Sequence, residues 1–120
     1  MMKKVMFVEI GMGVDLHGQD VNTACVRAVR DAIGHNSMPG MRSVLKDEDI
    51  NNMVVEITLA IPAFMDKVDE EAVKAVIPYG QKTVKLVHGG LVAKSGVVLP
   101  DKGDVNDDVI IVNAVVEVGY

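Results

Sequence analysis

Apolar positions recur along this chain with two different periods, and the switches between them divide it into elements. Residues 4 to 10, Lys-Val-Met-Phe-Val-Glu-Ile, are rich in β-branched and aromatic types and too short for a helix, which predicts a strand buried over most of both faces. Gly11, Gly13 and Gly18 then punctuate a loop that ends at Asp20, whose carboxylate is suited to cap a helix beginning at Val21. In that helix Cys25, Ala28, Val29, Ala32 and Ile33 recur at three-to-four spacing while Thr23, Arg27, Arg30 and Asp31 point elsewhere, and Gly34 ends it. After a polar turn around Ser37, Pro39 and Gly40, strict alternation from Met53 to Ile61 predicts a strand with Met53, Val55, Ile57, Leu59 and Ile61 on one dry face. A second, shorter helix is predicted from about Asp69 to Ile77, with Val73, Val76 and Ile77 inward and Pro78 stopping it. Lys82 to His88 and Leu91 to Leu99 read as strands with Gly89-Gly90 as the turn between them, and Val109 to Val118 as the last strand.

This order predicts a single α+β domain over residues 1–120, with two helices on one face of a mixed sheet. Composition then removes several functions. Seventeen acidic residues outweigh 12 basic ones, no basic run exceeds Lys3-Lys4, and the only aromatics are Phe7, Phe64, Tyr79 and Tyr120. Neither the phosphate-neutralising face nor the stacking platforms of a nucleic-acid partner are therefore expected. Glu9, Glu56, Lys85 and Asn113 interrupt the apolar stretches before any reaches the length of a membrane span. Met1-Met2-Lys3-Lys4 opens like a signal peptide, but Glu9 sits inside the would-be apolar region and no cleavage site follows. Tyr120 closely follows the last strand and leaves no tail for targeting, so a cytoplasmic protein is expected. Cys25, the lone cysteine, lies among apolar helix positions and reads as a buried small apolar residue. A mean hydropathy of +0.26 in so small a chain implies more apolar surface than one core can hide. Self-association, as a trimer or a multiple of one, is the expectation.

Candidate chemistry concentrates in Gly11-Met-Gly-Val-Asp-Leu-His-Gly-Gln-Asp20, which joins a strand to a helix N-terminus where backbone N–H groups could hold an anion. Leu16 stands where a dinucleotide fingerprint needs its third glycine, and no Gly-Lys-Ser/Thr follows for a phosphate loop. Asp15 and His17 could share a metal, but no third ligand stands at recognisable spacing, so no metal and no cofactor is expected. Gly11, Gly13, Asp15, Gly18 and Asp20, with Gly89 and Gly90, are the candidate ligand-binding residues, and His17, His35 and His88 the acid-base candidates. His88 shares an alternating face with Val84 and Leu86, which puts it at the margin of the core. Lys94 and Ser95 hold the ingredients of a nucleophile pair, yet neighbours on a strand point to opposite faces. Residues 100–108 lack the spacing of a calcium loop and read as a solvated turn. Glu9, Glu56 and Glu117 each interrupt an apolar strand, and all three are expected on the solvent side.

Taken over its whole length the chain resembles a bacterial family of uncharacterised conserved hypothetical proteins of about this size. The resemblance rests on Glu9-Ile-Gly-Met-Gly-Val-Asp-Leu-His-Gly-Gln-Asp20, His35-Asn-Ser-Met-Pro-Gly40, Pro100-Asp-Lys-Gly-Asp104 and Val116-Glu-Val-Gly-Tyr120. More distantly, Val26-Arg-Ala-Val-Arg-Asp-Ala-Ile33, Asp47-Glu-Asp-Ile-Asn-Asn-Met-Val-Val-Glu-Ile57 and the break at Pro62 resemble one repeat of the ring-opening amidohydrolases, the cyanuric acid hydrolase and barbiturase family. That resemblance implies a chorismate-mutase-like fold completed by three copies about a threefold axis. It does not bring the chemistry with it. His88-Gly89-Gly90 stands where the repeats have Ser-Gly-Gly, and residues 58–61 contain no lysine. Purified protein is expected to hydrolyse neither ring, and turnover of cyanurate or barbiturate above about 1 s⁻¹ would overturn this alignment. The function expected is that of a homo-oligomer binding a small polar metabolite at subunit interfaces, with hydrolysis of a small nitrogen compound as its possible chemistry. The alternative is a non-catalytic metabolite-binding or accessory protein.

Overall fold

Strand β1 runs Val5–Asp15, well past Ile10 where the apolar pattern predicts its end, and helix α1 follows at Val21–Ile33. The computed structural model describes residues 2–120; Met1, first residue of the basic N-terminal segment, lies outside the described residues. Steric fit explains the longer strand. A Cβ on Gly13 would fall 2.0 Å from the Ala24 carbonyl oxygen, and one on Gly11 2.3 Å from the Ala32 amide nitrogen, so α1 lies with its backbone directly on β1. Ala24, Ala28 and Ala32, all buried, complete this seam of small residues. Gly11 and Gly13 are thus strand residues packed under a helix, not members of an open loop.

Helix α2 is one turn at Met41–Val44, and two short 3₁₀ turns lead to strand β2, Val54–Ile61. Val55, Ile57, Leu59 and Ile61 are all buried, as the alternation predicts. Helix α3 is shorter than its apolar pattern, Glu70–Lys74, with the Asp69 carboxylate capping the Ala72 amide. Strands β3 (Gln81–His88), β4 (Leu91–Lys94) and β5 (Asp108–Gly119) complete the sheet.

The sheet order is β1-β5-β2-β3, with β2 and β3 parallel and every other pairing antiparallel. β4 pairs with Asp108 to Ile111 of β5, whereas β2 pairs with the following part of that strand. β4 therefore continues the line of β2, and Gly89-Gly90 is a sidestep between rows instead of a hairpin. A Cβ on Gly90 would lie 2.2 Å from the Ile111 carbonyl oxygen, which keeps the sidestep narrow. The predicted strand to Leu99 stops at Lys94, where the chain leaves β5. His88, at the end of β3, is exposed and outside the core margin expected for it.

α1 and α3 touch each other on one side of the sheet, over a core that also takes Met41, Leu45 and Ile77. Cys25 is wholly buried there, and burial, helped by the nearby Asp20 charge, pushes its thiol up to about 11. The thiol stays protonated and inert. The opposite face of the sheet carries Val8, Ile10 and Met12 of β1, in register with Glu117, Val115 and Asn113 of β5. Beyond them in the same rows stand Glu56, Thr58 and Ala60 of β2. Among the described residues no helix is long and apolar enough to cross a membrane.

Candidate functional site

Two arrangements of polar side chains stand out, one in the loops beyond β1 and one beneath α1. The first is organised by Asp104, whose side chain is fully buried. Its Oδ1 accepts from the Gly18 amide at 2.6 Å and the Gln19 Nε2 at 2.9 Å. Its Oδ2 accepts from the Leu99 amide at 2.9 Å and from His17 Nδ1 at 2.6 Å, so Nδ1 is the donor to this carboxylate. These bonds, the Leu99 amide first and against the pull of burial, hold the carboxyl well below the usual carboxylate range. Gln19 also donates to the Asp108 carbonyl at 2.9 Å and accepts from the Val105 amide at 3.0 Å. Residues 99–108 are thereby clamped to the loop after β1. The predicted solvated turn at 100–108 is corrected: its exposed residues surround a buried carboxylate that joins two loops.

At the start of α1 Asp20 performs the capping role predicted for it. Its Oδ1 accepts from the Asn22 amide at 2.9 Å and its Oδ2 from the Thr23 hydroxyl at 2.9 Å. A carboxylate thus already occupies the helix start, and a second anion would meet its charge. Asp15, buried at the end of β1, accepts from the Asp20 amide at 2.8 Å, while Arg27 bonds the Val14 carbonyl beside it at 2.7 Å. Asp15 and His17 therefore serve different partners. Among the described residues no three His, Cys, Asp or Glu side chains converge as a metal site requires.

The second arrangement is a cavity of about 160 Å³ beyond the close contact of α1 with β1. Ile33 at the end of α1, Met38 after it, Met53 and Val55 at the start of β2, Ile77 beyond α3 and Val116 of β5 line it. Glu9 enters this apolar space from β1 because it shares the alternate face with Gly11 and Gly13. The residue is 7% exposed, and its Oε1 is buried with no hydrogen-bond partner among the described residues. Burial pushes the Glu9 carboxyl above its ordinary 4.5, while the neighbouring Asn36 amide acts in the opposite direction. The expectation that all three strand glutamates face solvent fails at Glu9 and holds in direction for the half-buried Glu56 and Glu117 on the outer face.

The family described as conserved hypothetical protein (Lin0512_fam) matches residues 5–118. The chain belongs to this family. Its fold is also that of a crystal structure of an FtsZ-like protein of unknown function from Nostoc punctiforme, at 40% identity and a TM-score of 0.86, over 96% of this chain and 93% of that one. No curated protein matches the chain. The stretch matched to the family contains both arrangements, from Glu9 to the Asp104 clamp.

In this family member the three candidate histidines have separate surroundings. His17 lies in the clamp and His88 at the exposed end of β3. His35, just past α1, bonds Asp31 at 2.7 Å. Asp31 is held below its ordinary value, by His35 first and then by the Met12 amide, which it accepts at 2.8 Å on the free edge of β1. The Lys94 and Ser95 side chains are also committed locally. Lys94 pairs with Asp108 and Asp107, and the Ser95 hydroxyl donates to the Val97 carbonyl at 2.9 Å. Sequence reasoning missed Asp104 and put Glu9 on the wrong face of its strand. The signal for Glu9 was available in Gly11 and Gly13, since alternate glycines in a strand mark the face on which another backbone lies.

Proposed function

We propose that this chain is a homo-oligomeric, non-catalytic small-molecule-binding protein whose subunits associate through the uncovered face of the sheet. The observation that carries this reading is the apolar strip on β1, where Val8 is 58%, Ile10 71% and Met12 53% exposed. Mid-strand aliphatic side chains left this open together make a patch of the kind that marks an interaction surface. The strip adjoins the free edge of β1, whose backbone is capped by α1 side chains at Met12 and Val14. The occupant proposed is a second copy of the same chain. Shape supports it: the radius of gyration is 15.9 Å, against about 13.6 Å for a compact domain of this length. Accessible area supports it too, at 6844 Å² against roughly 6,300 Å² for a monomer of this mass. Three subunits is the stoichiometry proposed, on the resemblance of residues 26–33 and 47–57 to a repeat of threefold enzymes.

A second reading, proton transfer by His17, has one observation in its favour: buried Asp104 holds Nδ1 and leaves Nε2 without a side-chain partner, among the described residues, on a ring that is 22% accessible. Binding is preferred because Asp104 already accepts from four donors and ties two loops together. Ser95 and Cys25, the obvious nucleophile types, are bonded to backbone and buried in the core respectively.

Light scattering at micromolar concentration should give about three times the 12.9 kDa chain mass. Ile10→Glu puts a charge in the strip beside the Glu117 row and should yield monomers with little change in melting temperature, because an exposed side chain is replaced. A wild-type mass of one chain would refute the self-association.

A further inference from the structure

We propose that the Glu9 cavity is a binding site for a compact primary ammonium ion carrying an apolar body of about one ring. This gives a chemistry to the binding role proposed above and does not depend on self-association, since the cavity lies on the helix-covered side of the sheet.

Three features select that ligand. The bare Oε1 of Glu9 is an acceptor in a space walled mainly by aliphatic and methionine side chains, with Asn36 and Tyr79 beside them, so the complementary group is a donor, and a cation satisfies it best. The polar side chains lining the cavity are three among the described residues, Glu9, Asn36 and Tyr79, which suits one polar head and excludes a ligand polar all round. The volume of about 160 Å³ matches cavities that take a single six-membered ring. Met38 and Met53, both lining the cavity, can adjust to the shape of the apolar part.

Water is a poor substitute occupant. A buried water needs two to four polar partners, and a space with room for several waters offers only Glu9, Asn36 and Tyr79 among the described residues, against mainly aliphatic walls. Anions are disfavoured by the carboxylate itself and by the formal charge of -5 on the chain. The expected small polar metabolite is thereby narrowed to an amphipathic cation.

The test is titration of methyl-labelled methionine protein with cyclohexylammonium, followed by NMR. Saturable shifts are expected at the Met38 and Met53 methyls, with Met12 on the outer face unmoved. Cyclohexanol, of the same size without the charge, should bind at least tenfold more weakly, and so should cyclohexylammonium to Glu9→Gln. Cyclohexanecarboxylate should not bind. If that variant fails to fold, the comparison of cyclohexylammonium with cyclohexanol on the wild-type protein decides. Equal affinity for the two, shifts confined to Met12, or no saturable shift at Met38 and Met53 with tens of millimolar probe each overturns the proposal. A monomeric mass together with shifts at Met38 and Met53 would refute the self-association alone.

Discussion

Asp104→Ala lowers the melting temperature by roughly 10 °C or more, the largest loss expected from any single polar side chain in this protein. Four donors lose their acceptor at once, and two of them are backbone amides, Gly18 and Leu99, that no rotamer change can redirect. Asp104→Asn should do almost as badly. Each carboxylate oxygen accepts from two donors, so whichever way the amide turns, its NH₂ group faces a pair of donors. His17→Ala, which leaves three donors in place, is the mild member of the series. Acid sensitivity provides an independent reading. Because the folded carboxyl lies below its ordinary 3.8, the unfolded chain binds the proton more tightly, and the contribution of Asp104 is complete above that value. It is lost as pH falls below 3.8 toward the folded value. Wild-type stability should therefore drop steeply in that range, and the Asn variant should lack that part of the slope. Thermal melts by circular dichroism at several pH values check both claims, and an Asn variant as stable as wild type would dissolve the clamp.

The elements defined by side-chain periodicity were legible from the chain alone, because burial in this fold follows the backbone period wherever side chains make the contact. β2 alternates without exception from Val55 to Ile61, and α1 starts and stops at Asp20 and Gly34. β1 was misread for the opposite reason. Its contact with α1 is made by backbone through Gly11 and Gly13, so the apolar set Val8, Ile10 and Met12 marks the uncovered face and not the core. That inversion carried Glu9 inward. Asp104 was hidden differently: its donors come from residues more than 80 positions earlier as well as from Leu99, and nothing local in Pro100-Asp-Lys-Gly-Asp104 distinguishes a buried carboxylate from a solvated one. The sidestep at Gly89-Gly90 resembles a hairpin turn because glycine pairs serve both, and only the register of β5 separates them.

Glu9→Met should stabilise the ligand-free protein at neutral pH by about 1 kcal/mol, roughly 5 °C in melting temperature, while removing the acceptor of the cavity. The wild-type chain carries a carboxyl in an apolar space with Oε1 unpartnered, and methionine fills similar volume with no polar atom to desolvate. The pH dependence has a definite sign. The folded carboxyl titrates above its ordinary 4.5, so between the two values the folded state holds more protons than the unfolded one and stability falls as pH rises. The advantage of the methionine variant should be smallest below 4.5, where Glu9 is protonated in both states, and should grow as pH rises through the folded value. Among the described residues Tyr79 is the only other ionisable side chain lining the cavity, which leaves Glu9 as the source of the difference. A buried charge kept at a cost in stability is expected of a group held for binding, and the same substitution gives the two consequences opposite signs. Melts of both proteins from pH 4 to 8, a range chosen to bracket ordinary carboxylate titration about and above 4.5, measure the first consequence. A methionine variant less stable than wild type throughout would mean that Glu9 is paired within the protein and is not waiting for a ligand.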